Sequence, residues 1–171
     1  SMDDLKDIIA QFKQRDYRSF DAFYAETKKS VYFTIRSIIG DPDLSEDIMQ
    51  ETYMAFLQKI DLVDSERNVR SYLLTIARNL SIDLYNKRKR EVLSDEFIDS
   101  IPSEETRDDP EVLEILKLLG EAEREVITQR IINDLKFKEI ARITNKPLGT
   151  VLWLYHKGIR TLREKVGDDF K

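Results

Sequence analysis

A helical period interrupted once, by a proline, is the pattern that most restricts this chain. Phe137, Ile140, Ala141 and Ile143 fall on one face of a helix over residues 137–144. Asn145, Lys146 and Pro147 end it, because proline lacks a backbone donor and disfavours a helical residue before itself. A helix restarts at Leu148 and continues through Leu162 and Val166. Residues 119–166 therefore read as two short helices, a tight turn and a longer third helix. With cations on the helix after the turn, this is how proteins place side chains in a DNA major groove. A plain three-helix bundle has the same spacing, so the pattern alone leaves both readings open.

The chain has 171 residues, room for one ordinary domain or two small ones. Charged residues make up 36% and hydrophobic ones 41%, the balance of a soluble folded protein. Five glycines and four prolines leave few turns, which suits an all-α fold. Cysteine is absent, which excludes disulfides and thiolate metal sites. No apolar run approaches the roughly 20 residues that span a bilayer. Asp3, Asp4 and Asp7 do not make the start of a secretory signal, and the expected compartment is the cytoplasm. A single histidine, His156, no glycine-rich phosphate loop and no ligand cluster argue against an enzyme, a metal, a cofactor or a small-molecule substrate. Asp47 and Glu51 could imitate an acid–base pair, but their helix face lacks a partner base.

Charge is distributed unevenly. Residues 1–90 hold 15 basic and 15 acidic side chains. Residues 91–111 hold nine acidic residues against Arg107 alone, and residues 112–171 hold 12 basic and nine acidic. The acidic stretch carries Pro102 and Pro110 and no sustained helical period, so it marks a linker. The expected organisation is a helical bundle over residues 1–90, an acidic linker over 91–111 and a helix-turn-helix domain over 112–171. The linker is either a solvated tether or a polyanionic strand suited to a basic channel.

Four helices are expected in the first part. One spans residues 5–15. A second carries Phe20, Phe23, Tyr24, Thr27, Val31 and Ile35 at steps of three and four, with Gly40 as its C′ residue. Ser45 is placed to cap the third. That helix has an apolar face of Ile48, Met49, Thr52, Phe56 and Ile60 and an opposite face of Glu46, Asp47, Gln50 and Glu51. A loop over 61–68 precedes a long helix over 69–90, whose stripe is Tyr72, Leu73, Ile76, Leu80 and Leu84. Its end, KRKR over 87–90, complements the helix dipole and offers phosphate contacts.

Several of these segments resemble a known family. DLSEDIMQETYMAF over 43–56, VRSYLLTIARNLSID over 69–83 and the basic run after it are similar to region 2 of bacterial sigma factors. LGEAEREV over 119–126, FKEIA over 137–141 and LGTV over 148–151 are similar to region 4. Both regions with only a short linker between them resemble the extracytoplasmic-function group of the sigma-70 family. The resemblance implies a non-enzymatic transcription initiation factor that binds core RNA polymerase and directs it to promoter DNA. It implies that Glu46, Asp47, Gln50 and Glu51 bind the β′ clamp helices. An acidic, amide-bearing helix face also suits a basic partner on physical grounds.

The resemblance further implies that residues 61–90 recognise the −10 element as it melts, which requires surfaces that hold unstacked bases and single strands. The candidates are Arg67, Asn68, Arg70, Arg78, Asn79, Asp83, Lys87, Arg88 and Arg90. Arg78, Asn79 and Asp83 match the family motif, whereas Arg67 and Asn68 only lie in the matching loop. Asn79 and Asp83, four apart, are spaced to order each other. Tyr72 stands where the family often has tryptophan and reads as core. For the −35 element and the β flap the implied reader is the last helix. Lys146, Thr150, Trp153, Lys157 and Arg160 are the candidates.

Here the chain departs from the family. Apolar Leu152, Trp153 and Leu154 follow LGTV, and cations return only at His156, Lys157, Arg160 and Arg163. Val151, Tyr155, Leu162 and Val166 step as a core stripe, which leaves residues 152–154 partly outward. Those side chains suit thymine methyls, the polymerase flap, the other domain or an anti-sigma factor. The competing reading of the whole chain is a helix-turn-helix regulator that binds duplex DNA without polymerase, disfavoured by the zero net charge of residues 1–90.

Overall fold

Every regular element among the described residues, 2–91 and 110–167 of a computed structural model, is a helix. α1 spans Met2–Lys13, α2 Phe20–Arg36, α3 Pro42–Gln58 and α4 Val69–Glu91, with a 3-10 turn over Ile60–Leu62. α5 spans Pro110–Leu116 and α6 Glu121–Ile127, which runs on as a π-helical turn over Thr128–Ile132. α7 spans Phe137–Thr144 and α8 Leu148–Val166. The expected acidic linker loses its ends to α4 and α5, since Glu91 closes one and Glu111 lies in the other. Its remainder, 92–109, lies outside the described residues. No described helix is long and apolar enough to cross a membrane.

The first four helices close around aromatic rings. Phe12 meets Phe23 edge to face with centroids 5.4 Å apart, and Phe23 stacks on Phe56 at 5.2 Å. Phe12, Phe23 and Phe56 are fully buried, and each ring of this size removes more apolar area from water than any aliphatic neighbour. The Tyr53 hydroxyl shares a 2.8 Å hydrogen bond with Thr27, and burial pushes its phenol well above the ordinary range. Arg15 ties the end of α1 to the 3-10 turn through Asp61 at 2.8 Å, and this hydrogen bond holds the Asp61 carboxyl below its usual pKa.

Helix ends differ from the sequence expectation in physically clear ways. Asp41, not Ser45, caps α3: its Oδ1 accepts from the amides of Asp43 and Leu44 at 2.9 and 3.2 Å, with Pro42 at the first helical position. Ser45 lies one turn inside, buried, its hydroxyl donating to the Asp41 carbonyl. Gly40 is not a C′ residue, because α2 stops at Arg36. Asn68 caps α4 by accepting from the Ser71 amide at 2.9 Å. Asn145 ends α7 in the left-handed conformation, φ 54°, ahead of Pro147 as the sequence predicts.

The expected faces of α3 and α4 are buried or half-buried, and Tyr72 packs on Phe56 at 6.1 Å. α4 also buries Leu74, Ala77 and Ser81, a second face turned to the rest of the chain. In α8 the core residues are Val151, Leu154, Ile159 and Leu162. Leu154 thus points in, where the sequence placed it outward, and Val166 is exposed. Gly158 lets α8 approach α6: a Cβ there would stand 2.7 Å from Ile127 Cγ1. Gly158→Val should therefore destabilise the C-terminal half by about 2–3 kcal/mol through overpacking, read as an earlier urea transition with near-unchanged secondary structure in the native baseline.

Candidate nucleic-acid interface

α3 presents its polar face to solvent because its other face is fixed in the aromatic core. Asp47, Gln50 and Glu51 are exposed and Glu46 is half-buried. Met54, one turn beyond Gln50, is 61% exposed on the same face. Sequence reasoning passed over it, although its step of four from Gln50 is the signal that places it there. The face combines carboxylates and an amide with one soft apolar side chain.

The described side chains expected to meet the −10 strand fall into three groups. Arg67, Asn79, Asp83, Lys87 and Arg88 are exposed. Arg67 stands 3.6 Å from Asp64, and no hydrogen bond joins Asn79 to Asp83, so the expected mutual ordering is not realised. The side chain of Arg90 lies outside the described residues. Arg70 is turned inward: its Nη2 donates to the Ser30 hydroxyl on α2, and its Nε is buried without a partner. Arg78 and Asn68 are engaged by the C-terminal half. Arg78 forms an ion pair with Glu125 of α6, the two side chains 14% and 6% exposed. Asn68 donates to Glu139 of α7 at 3.1 Å, and the Ser71 hydroxyl reaches the same oxygen at 3.4 Å.

These contacts belong to a larger pattern. Glu121, Glu125, Gln129 and Asn133 step by four along α6, its π-helical turn and the residue that caps it, and each bonds across to the first half. Tyr85 donates to Glu121 at 2.7 Å, a bond that raises the phenol pKa. Gln129 Nε2 donates to Thr34 Oγ1 at 2.9 Å. Asn133 Nδ2 donates to Thr34 Oγ1 at 3.0 Å and to the Ser30 carbonyl at 3.3 Å. Gln129, Asn133, Thr34 and Ser30 are all buried. A step of four overshoots the 3.6-residue α-turn, so such a stripe drifts around a helix. The wider π turn, closed by the Asn133 amide on the Thr128 carbonyl at 3.1 Å, reduces that drift. A cleft of about 190 Å³ remains beside the stripe, lined in part by Arg78, Tyr85, Glu121 and Lys146.

The −35 candidates are scattered. Thr150 and Arg160 are exposed, whereas Lys146 is half-buried on the cleft between the halves. Lys157 reaches Glu123 at 3.0 Å and lies 5.0 Å from the Trp153 ring centroid. Trp153 itself is 58% exposed. No metal-binding cluster exists among the described residues.

Comparison with known proteins gives this arrangement its class. A family model described as Sigma-70 region 2 matches residues 23–91, and one described as Sigma-70, region 4 matches 115–164. The ECF RNA polymerase sigma factor SigM of Bacillus subtilis (strain 168) is 30% identical over 135 residues, 74% of this chain and 82% of that protein. SigW of the same organism is 29% identical over 184 residues, 96% of this chain and 97% of that protein. The fold matches the sigma factor RpoE of Bartonella quintana, solved with the anti-sigma factor NepR, at TM-score 0.74 and 23% identity over 89% of this chain and 99% of that one. Fold and matched regions define a transcription initiation factor that directs RNA polymerase to promoters, not an autonomous helix-turn-helix regulator. The chain belongs to the extracytoplasmic-function group of the sigma-70 family.

Trp153 is the only tryptophan, so its fluorescence reports this surface directly. The free chain should show the emission of a water-exposed indole, open to acrylamide quenching. A blue-shifted, unquenchable emission would mean that the side chain is covered.

Proposed function

We propose that three surfaces divide the work of promoter-directed initiation. Asp47, Gln50, Glu51 and Met54 on α3, with Glu46 at its edge, grip the β′ clamp helices of core RNA polymerase. The loop and α4, through Arg67, Asn68, Arg78, Asn79, Asp83, Lys87, Arg88 and Arg90, hold the melted −10 strand. Arg70, bound to Ser30, serves to fix α4 on α2. Thr150, Trp153, Lys157 and Arg160 on α8, with Lys146 ahead of it, read the −35 duplex. Residues 1–90 and 112–171 are the working domains in this reading, and 91–111 the acidic tether between them. The work is binding, without catalysis, in the cytoplasm.

The observation that carries the reading is the outward polar face of α3, exposed at Asp47, Gln50 and Glu51 while Ile48, Met49 and Phe56 anchor the opposite side. Such a face suits a basic partner that brings its own apolar contact for Met54. An anti-sigma factor is a further proposed partner. RpoE was solved with one, and Trp153 with Leu148, 58% and 39% exposed, offers an apolar surface on α8.

Reconstitution with core polymerase tests the division. Run-off transcription from a genomic promoter library should require both the chain and core enzyme. Asp47→Lys should weaken core binding at least about tenfold by placing a cation against a basic partner, with the unfolding midpoint unchanged, as expected for an exposed position. Equal pull-down of both proteins would remove α3 as the gripping surface.

A further inference from the structure

Arg15 stands in a backbone conformation that its residue type disfavours. Three described residues other than glycine have a positive φ: Arg15 at 61°, Asp134 at 55° and Asn145 at 54°. Aspartate and asparagine visit this left-handed region readily, whereas arginine enters it at a cost. Arg15 closes α1 in a Schellman motif, its amide on the Phe12 carbonyl and the Asp16 amide on the Gln11 carbonyl, both at 2.9 Å. Glycine is the usual residue at that position. What arginine adds is its side chain. The guanidinium forks onto Asp61, Nη1 donating to Oδ1 at 3.2 Å and Nη2 to Oδ2 at 2.8 Å, and Nη1 also reaches the Lys13 carbonyl at 3.3 Å.

Asp61 opens the loop over 61–68. A second ion pair from the same helix holds the loop near its other end, Lys6 Nζ standing 3.2 Å from Glu66 Oε2. Between the two pairs α1 packs on the 3-10 turn, with Ile9, Phe12, Ile60 and Val63 buried. Arg67 and Asn68 follow Glu66 directly. Exposed ion pairs of this kind add little to stability. A backbone cost retained for a weak stabiliser points to a role in geometry.

We propose that α1 braces the −10 loop, with Arg15 and Lys6 as positioning residues that hold its two ends so that Arg67 and Asn68 meet the melted strand in one arrangement. This role rests on the assignment of residues 61–68 to the −10 strand. Neither Arg15 nor Lys6 has to touch DNA.

Arg15→Gly separates the two functions of the position, because glycine keeps the left-handed cap without strain and removes the fork. Its unfolding midpoint should equal or exceed that of the unaltered chain. In Arg15→Gly/Lys6→Ala the hydrogen-bonded amides of Val63, Glu66 and Arg67 should nevertheless exchange about three- to tenfold faster, the loss expected of two exposed pairs. Holoenzyme reconstituted with core polymerase then transcribes a promoter recovered from the genomic library, its −10 element randomised and each template carrying a transcribed barcode. Preference for the favoured base should fall at least about twofold at one or two adjacent −10 positions, as the competent loop population falls. Core-polymerase pull-down should be unchanged. The exchanged pair Arg15→Asp/Asp61→Arg, with Lys6 intact, should return exchange and base preference to those of the unaltered chain.

Unchanged amide exchange overturns the brace, as does faster exchange with an unaltered −10 profile or an exchanged pair that restores neither. Asp61→Ala repeats the comparison from the loop side if the double variant does not fold. Arg67→Ala/Asn68→Ala is scored separately. A flattened profile there, beside an unaltered one in Arg15→Gly/Lys6→Ala, keeps the loop as reader and removes the brace. An unaltered profile there removes the loop from −10 reading, and the brace's role falls with that assignment.

Discussion

The ion pair between Arg78 and Glu125 is the interaction on which the closed arrangement turns. Both side chains are largely out of water. A charge in that position must be matched, because removing one partner of a buried pair typically costs about 3–5 kcal/mol while the pair itself contributes little net stability. Arg78 therefore has two acceptable states: paired with Glu125, or open to water and an anion. The buried amide nitrogens of Gln129 and Asn133 follow the same logic at lower stakes, each donating to Thr34 Oγ1 when the halves meet. The contact specifies an arrangement more than it stabilises one.

That requirement explains the unusual burial of α4. A surface helix needs one apolar stripe, yet α4 buries Leu73 and Ile76 on one side and Leu74, Ala77 and Ser81 on another. The second set joins fully buried Leu74 to small Ala77 and Ser81, whose hydroxyl donates to the Ala77 carbonyl at 2.7 Å. α2 is built likewise: Ser30 and Thr34, one turn apart, receive the C-terminal half and also bond within their own half, Ser30 holding Arg70 and Thr34 donating to the Ser30 carbonyl.

Much of this was legible in the residues. The apolar steps of α2 and α3, the Asn145-Lys146-Pro147 break and the outward polar face of α3 follow from local spacing, which a helix expresses wherever it packs. Arg78 also stood out, but as a DNA contact, because its partner lies 47 positions away. The stripe of Glu121, Glu125, Gln129 and Asn133 was visible as spacing and still passed over. Polar residues at steps of four normally mark a solvated face, and only the apolar neighbours Val126, Ile127 and Ile132 hinted otherwise. Leu154 was misplaced because it was counted by register from Val151, whereas the close approach allowed at Gly158 rotates a broader arc of α8 inward. Ser45 was read as the cap of α3, whereas the Asp41 carboxylate, one turn earlier, begins that helix.

The separation of surfaces limits what can open the chain. A ligand shifts a two-state equilibrium only by its difference in affinity for the two states. The α3 face is exposed while the halves are together, so binding there gains nothing from opening. Polymerase that touched α3 alone would dock on the closed form and leave it closed. Opening must come from a ligand that distinguishes the states, one that binds groups covered where the halves meet. By reciprocity, whatever draws the C-terminal half aside raises the affinity of any ligand for those covered groups by the same factor.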